Sequence, residues 1–264
     1  MKLGCCTSLW EDTILQLAGA GADYAEAGFS GSLPGKTLDQ VRERAAQLEE
    51  AGIHVEAMNG FFPGELRLTG PEADFSAVDR YLEENLPKAA ALGVKVVVFG
   101  SGGARRVPEG FPQEEAFAQL VELGQDHIGP ALGAYGMTCC VEPLNVKECN
   151  ILTTSREGFE LVRQANHPHF QLLVDLYHFD LAQEPLSEIA DYRGHLLHTH
   201  IASATNSREI PMPRDGENYA AFFQALKNIG YTGRMSLEGN ISQGLPQIKT
   251  SLSYLKSLAQ EAGL

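Results

Sequence analysis

Four stretches of this chain join a short apolar run to a group that can bind a metal ion or carry a proton. They are Cys139-Cys140-Val141-Glu142, Leu172-Leu173-Val174-Asp175, His198-Thr199-His200 and Ser236-Leu237-Glu238. Taken singly, each is unremarkable in type: a glutamate before a proline, as Glu142 stands before Pro143, commonly sits solvated in a turn. Taken together they form a set. Uncompensated carboxylates gathered in one place repel each other and are costly to desolvate. A divalent cation removes that penalty. Three carboxylates and one imidazole suit a hard or borderline ion, with water or substrate oxygens completing its shell. The expected ion is Mn²⁺, with Mg²⁺, Co²⁺ or Zn²⁺ as alternatives.

For these groups to meet, the runs that carry them must be neighbouring strands. The chain alternates eight strand-like runs, at 2–6, 24–27, 54–58, 94–99, 137–141, 171–174, 195–201 and 234–237, with helical patterns. The helices are expected at 11–20, 37–51, 75–91, 113–135, 155–166, 185–191, 219–229 and 246–261. Gly52, Gly93 and Gly230 stand where three of these helices must stop, and Thr153, Thr154 and Ser155 offer N-cap hydroxyls to a fourth. Strand–helix repeats of roughly 30 to 40 residues build βαβ units and a parallel sheet. Eight of them in 264 residues predict an α/β chain folded as one (β/α)8 TIM barrel over residues 1–264. No GxGxxG follows the first strand, so the dinucleotide fingerprint is missing.

A barrel of this kind works at the C-terminal ends of its strands. Strands five to eight then deliver Glu142, Asp175, His200 and Glu238 at one depth. His198 shares a face with His200, one layer deeper, as a support for the site or as a core histidine. His195 falls at the strand's start and reads as structural. Glu26, on strand two, is a supporting or purely structural carboxylate. Trp10, Phe61 and Phe62 follow strands one and three, as an apolar wall that excludes water or as loop packing. Arg105 and Arg106 are expected to face solvent or another subunit.

Composition narrows the function classes. With 20 basic and 34 acidic residues the net charge is −14, which opposes nucleic-acid binding. No run of about 18 apolar residues occurs, so no membrane contact is expected. The N-terminus has no apolar h-region, which predicts a cytoplasmic protein. The five cysteines form no CxxC, and Cys5-Cys6 and Cys139-Cys140 read as buried free thiols.

The motifs Val-Glu-Pro-Leu-Asn (141–145), Val-Asp-Leu-Tyr-His (174–178), His-Thr-His-Ile-Ala (198–202) and Leu-Glu-Gly (237–239) resemble those of the xylose-isomerase-like barrels, above all the ketose 3-epimerase and hydroxypyruvate isomerase branches. The resemblance runs along essentially the whole chain. It implies that Glu142, Asp175, His200 and Glu238 hold the ion and that Glu142 and Glu238 are also the catalytic acid and base. It further implies substrate-binding roles for Glu148, His178 and, on a looser spacing, Arg208. The hydroxypyruvate isomerase branch usually carries Gln where this chain has His200, although Gly216 to Tyr219 is similar to that branch. The implied activity is a metal-dependent sugar epimerase or isomerase acting on an α-hydroxy ketone through an enediolate. A lyase or dehydratase on a keto-polyol, or a deglycosidase on a 3-keto glycoside, begins with the same proton abstraction. The related endonuclease IV-type repair nucleases need more metal ligands and a basic surface, which the charge disfavours. The expected partner is a small sugar or keto-polyol. The outer helices of such barrels commonly pair, so a homo-oligomer is also expected.

Overall fold

The computed structural model describes all 264 residues. The apolar runs form eight parallel strands: β1 (Lys2–Thr7), β2 (Tyr24–Gly28), β3 (Val55–Asn59), β4 (Val96–Phe99), β5 (Thr138–Val141), β6 (Phe170–Asp175), β7 (Leu196–Ile201) and β8 (Arg234–Leu237). They pair in chain order and close through β8 on β1, as the strand–helix alternation predicts. The helices are α1 (Leu17–Ala20), α2 (Leu38–Glu50), α3 (Phe75–Leu92), α4 (Gln113–Glu122), α5 (Gly129–Gly133), α6 (Ser155–Ala165), α7 (Leu176–Leu181), α8 (Tyr219–Asn228) and α9 (Leu245–Ala262). No helix is long and apolar enough to cross a membrane. All five cysteines are free, and four of them are buried.

Local chemistry sets the helix ends. Thr37 and Gln40 form a reciprocal capping box, and Thr154 accepts from the Glu157 amide. Gly52, Gly93 and Gly230 all take positive φ at the helix stops. Three expected helices differ. The first begins as a 3-10 turn, Asp12–Gln16, before α1, and the helical stretch near 185–191 is a 3-10 segment, Leu186–Tyr192. The long helix expected over 113–135 opens into a wide π-type turn, Leu123–Ile128, before α5. Pro130 has no N–H to continue an α-helical ladder there. A Cβ at Gly124 would lie 2.6 Å from the Phe170 ring, so the backbone of this turn packs directly on β6.

Period-two alternation divides the core. Ala25, Val97, Cys139, Val141, Leu172 and Val174 point outward and join a cluster of 66 buried residues beneath the helices. Tyr24, Ala57, Val96, Val98, Cys140 and Leu173 form a separate cluster of six that fills the barrel. Two residues further along the same inward rows come Glu26, Asn59, Gly100, Glu142 and Asp175. The rows of β7 and β8 add His198, His200, Ser236 and Glu238. The same alternation that packs the barrel therefore aims its polar groups at one mouth.

Candidate active site and metal centre

Glu142, Asp175, His200 and Glu238 each offer a donor atom, and these atoms all lie within 4.8 Å of one another. Asp175 divides its work. Its Oδ1 accepts from the Tyr177 amide at 3.0 Å and caps α7, a short helix the sequence pattern missed. Its Oδ2 is buried with no hydrogen-bond partner. An unpartnered carboxylate oxygen inside a ring of carboxylates is costly unless a cation meets it. The acid groups are crowded accordingly. Burial, then Glu238 and Glu142, hold Asp175 well above the usual carboxylate range. Burial and Glu238 also raise Glu142. Burial opposes ionisation of Glu238 as well, but His200 and Arg208 outweigh it and keep that group low. The donor set and the orphaned oxygen fit a divalent ion.

His200 is oriented from behind. Its Nε2 lies 2.9 Å from Glu26 Oε1, and its Nδ1 faces Glu142 Oε1 at 3.1 Å and Glu238 Oε2 at 3.3 Å. A proton on Nε2 leaves the Nδ1 lone pair for a metal, the arrangement by which a carboxylate sets the tautomer of a ligating histidine. Glu26 also takes His198 Nε2 at 2.8 Å and the Ser236 hydroxyl at 2.6 Å. Burial would raise Glu26, but His200 and His198 hold it far below the ordinary carboxylate range. Tyr24 extends the network to Ser236 at 2.6 Å, and a Cβ at Gly4 would lie 2.5 Å from its ring. Glu26 and His198 thus sit one layer beneath the cluster, with Glu26 hydrogen-bonded to both histidines.

Three further residues border the cluster. His178 accepts at Nδ1 from the Asn145 amide at 3.2 Å and from Asn145 Nδ2 at 3.0 Å. Its proton is therefore on Nε2, a buried atom without a hydrogen-bond partner, 3.6 Å from Asp175 Oδ2. Burial, with Arg208, pushes His178 down to about 3, so the ring is neutral near pH 7. Glu148 accepts from Asn145 Nδ2 at 2.8 Å. Arg208 reaches Glu238 at 2.7 Å and Asp175 and Glu148 at 3.5 Å, with its guanidinium 4.6 Å from the centre of the Tyr177 ring. Ser207 and Arg208 both take left-handed backbone conformations, and Asn240 binds both of their carbonyls at 2.6 Å. Motif spacing carries no sign of that turn, yet it is what delivers the arginine.

Trp10 is anchored elsewhere at the mouth. Its indole N–H donates to the Ser32 carbonyl at 3.0 Å, and Lys36 lies over its ring. Phe61 and Phe62 are loop packing rather than an exposed wall: both are buried among Phe29, Tyr81 and Phe99. The expectation for Arg105 is overturned. It is fully buried and donates to the carbonyls of Phe99 and Glu142, because the loop after β4 folds inward on Ser101. Arg106 remains exposed and donates to the Glu148 carbonyl. Asn59, the last residue of β3, donates through Nδ2 to Glu238 Oε1 at 3.2 Å. Gly100 leaves room for the Glu142 carboxylate, with which a Cβ there would collide.

Comparison with known proteins agrees with this architecture. The family model described as xylose isomerase-like TIM barrel matches residues 14–258. The 3-dehydro-D-guloside 4-epimerase of Escherichia coli (strain K12) is 26% identical over 247 residues, covering 88% of this chain and 91% of that one. A crystal structure of D-psicose 3-epimerase in the presence of D-fructose superposes with a TM-score of 0.80 at 18% identity, covering 99% of this chain and 96% of that chain. The IOLI protein with a bound zinc atom superposes with a TM-score of 0.72 at 18% identity, covering 100% and 96%. The matched model spans nearly the whole barrel, and the chain belongs to the xylose isomerase-like TIM barrel family.

Proposed function

We propose that this protein is a divalent-metal-dependent epimerase or isomerase that moves a proton on the carbon beside the carbonyl of a neutral keto sugar. The observation that carries the reading is the convergence of two glutamates, one aspartate and one histidine within 4.8 Å at the barrel mouth. Glu142, Asp175, His200 and Glu238 would hold the ion, Mn²⁺ first among the candidates by its tolerance of mixed oxygen and nitrogen donors. When bound, it supplies a Lewis acid that stabilises negative charge developing on the substrate's carbonyl oxygen.

Glu142 and Glu238 carry the proton. They stand at the tips of β5 and β8, which two other strands separate round one side of the barrel, and so approach a substrate from different directions. One carboxylate takes the C–H proton to leave an enediolate, and the other returns a proton from its own side. Return to the same carbon inverts its configuration; return to the neighbouring carbon exchanges aldose and ketose. His178 donates its Nε2–H to a substrate oxygen, Glu148 accepts from a hydroxyl, and Arg208 donates to an oxygen near the reacting carbon. Trp10 contributes an apolar face at the mouth that limits water.

Charge selects the substrate class. Once an ion is bound, Glu142, Asp175, Glu238 and Glu148 would carry four negative charges, and Arg208 already engages three of those four groups. A divalent ion added to them leaves no positive excess to attract a carboxylate or phosphate. That favours free ketoses and 3-keto glycosides over keto acids. The net charge of −14 likewise disfavours a nucleic-acid substrate.

The test is proton NMR in D₂O with the Mn²⁺-loaded protein and a panel of free ketoses, 3-keto glycosides, hydroxypyruvate and a ketose phosphate. Deuterium entering a neutral ketose or keto glycoside, with loss of activity on full chelation, is the expected result. Undiminished activity after chelation would overturn the metal-dependent reading. Faster turnover of hydroxypyruvate than of every neutral sugar would overturn the substrate class. Loss of water or of an aglycone in place of a new epimer would assign the same proton abstraction to a lyase.

A further inference from the structure

We infer that Arg105 and Arg106 are a pair of positioning residues, adjacent on the loop after β4, each of which holds the main chain of one site glutamate. Arg105 donates through one guanidinium nitrogen to the Glu142 carbonyl at 2.7 Å and through the other to the Phe99 carbonyl at 2.8 Å. Arg106 donates to the Glu148 carbonyl at 2.6 Å. Two neighbouring side chains therefore clamp the two ends of the segment from Glu142 to Glu148. The inference rests on the roles proposed above for those glutamates.

The need for the first clamp is visible in the backbone. The β5 ladder ends at Val141, and the Glu142 amide makes the last bond to β4, at the Phe99 carbonyl. Pro143 follows, and its nitrogen has no proton to give. β4 itself ends at Phe99, so no backbone amide donates to the Glu142 carbonyl where the chain leaves the sheet, and a buried carbonyl must find a donor. Arg105 provides it and ties the carbonyl to the tip of β4 in the same fork. A lysine cannot reproduce that fork, because its ammonium is a single point donor. The loop is built to present it. Ser101 takes a left-handed conformation, its carbonyl accepts from the Arg105 amide at 3.2 Å, and Thr69 binds the Arg105 carbonyl at 3.1 Å.

Burying a guanidinium with no hydrogen-bonded carboxylate is costly, and well-packed apolar residues usually fill such space more stably. Arg105 is fully buried, with its Nε unpartnered. A residue kept there only to fill volume need not be charged. One that fixes a peptide plane must donate twice.

The second clamp holds the segment's far end. The main chain there is otherwise held by Asn145, whose carbonyl takes the Glu148 amide at 2.9 Å, while the carboxylate is met by the Asn145 side chain at 2.8 Å and by Arg208 at 3.5 Å. Asn145 also binds His178, so a shift of Glu148 carries over to that ring.

The experiment compares the full-length protein with its Arg105→Lys, Arg105→Met and Arg106→Ala variants. Hydrogen–deuterium exchange of peptides covering 142–150, measured without metal, reads the clamp directly. Faster exchange confined to that segment is expected in all three. Titration with Co²⁺ reads the first clamp through the ion's visible absorption: affinity should fall about 10-fold or more in Arg105→Met and less in Arg105→Lys, the range seen when supports of metal ligands are removed. Arg106→Ala should raise KM several-fold more than it lowers kcat, because it acts on a substrate contact. Wild-type exchange across 142–150 in the folded Arg105→Lys and Arg106→Ala variants overturns the inference. So does a wild-type Co²⁺ spectrum and affinity in a folded Arg105→Met. Should Arg105→Met not fold, Arg105→Lys and Arg106→Ala decide. A wild-type protein that binds no Co²⁺ would instead sink the proposed metal site, and exchange alone would then judge the clamps.

Discussion

Replacing Glu26 by glutamine keeps the side chain's shape and removes its charge, and the consequences can be worked out atom by atom. Glu26 Oε1 takes His200 Nε2 at 2.9 Å, while Oε2 takes His198 Nε2 at 2.8 Å and the Ser236 hydroxyl at 2.6 Å. A glutamine has one oxygen and one NH₂ to offer these donors. If the NH₂ faces His200, Nε2 must become an acceptor and the proton moves to Nδ1, the nitrogen that faces Glu142 and Glu238. Nδ1 then has no lone pair to offer a metal, and the ring's remaining lone pair points away from the cluster. If the NH₂ faces His198, that ring must carry its proton on Nδ1, which is buried without a partner. Either arrangement forfeits a charge-assisted bond of about 1.5–3 kcal/mol. Part of that loss falls on metal binding, and removing such a support typically weakens affinity about 10–100-fold. Calorimetric titration with Mn²⁺ measures the change directly. Thermal unfolding gives an independent reading. Mn²⁺ at 100 times the wild-type Kd stabilises by about 2.7 kcal/mol, and a 100-fold weaker site keeps only about 0.4 kcal/mol of it. A Glu26→Gln protein that binds Mn²⁺ with wild-type affinity would refute the claim that Glu26 sets the His200 tautomer.

Asp175→Asn should retain the Oδ1 cap on α7 yet put an amide where the unpartnered oxygen stands, so Mn²⁺ affinity should drop by about 10-fold or more with little change in metal-free stability; unchanged affinity in a titration would remove Asp175 from the ligand set. Gly100→Ala places a methyl against the Glu142 carboxylate and should lower kcat about 10-fold or more at saturating metal, and a wild-type kcat would show that the carboxylate has room to move. Glu142→Gln and Glu238→Gln should each abolish deuterium incorporation from solvent into a ketose, as followed by NMR; wild-type exchange in either would break the proposed acid–base pair.

Much of the frame was legible because it rests on local periodicity. Apolar runs of strand length, separated by amphipathic segments and stopped by Gly52, Gly93 and Gly230, are enough to count eight strands and to place what stands at their tips. The errors fall where distant groups compete with local pattern. Helical periodicity continues through 123–128, but the packing of Gly124 on Phe170 and the missing amide of Pro130 open a wide turn there. Arg105 reads as a solvated loop charge because solvation is the default for arginine. What reverses that default is the pair of carbonyls at the tips of β4 and β5, which no spacing within the loop announces. Phe61 and Phe62 occupy loop positions at the mouth, yet their partners, Phe29, Tyr81 and Phe99, come from three other parts of the chain.

The sequence by itself determined that Glu142, Asp175, His200 and Glu238 end inward-facing rows on four successive strands, since alternation with period two and the order of the runs leave little other choice. Tertiary structure decided what each group does with its atoms. It assigned one Asp175 oxygen to a helix cap and left the other without a hydrogen bond, turned Nδ1 of His200 toward the carboxylates by seating Nε2 on Glu26, and brought Arg208 in on a left-handed turn. The physical reason is the range of the forces involved. Strand and helix follow from neighbours a few residues apart, whereas a tautomer or a buried charge is settled by groups such as Glu26 and His200, 174 residues apart in the chain.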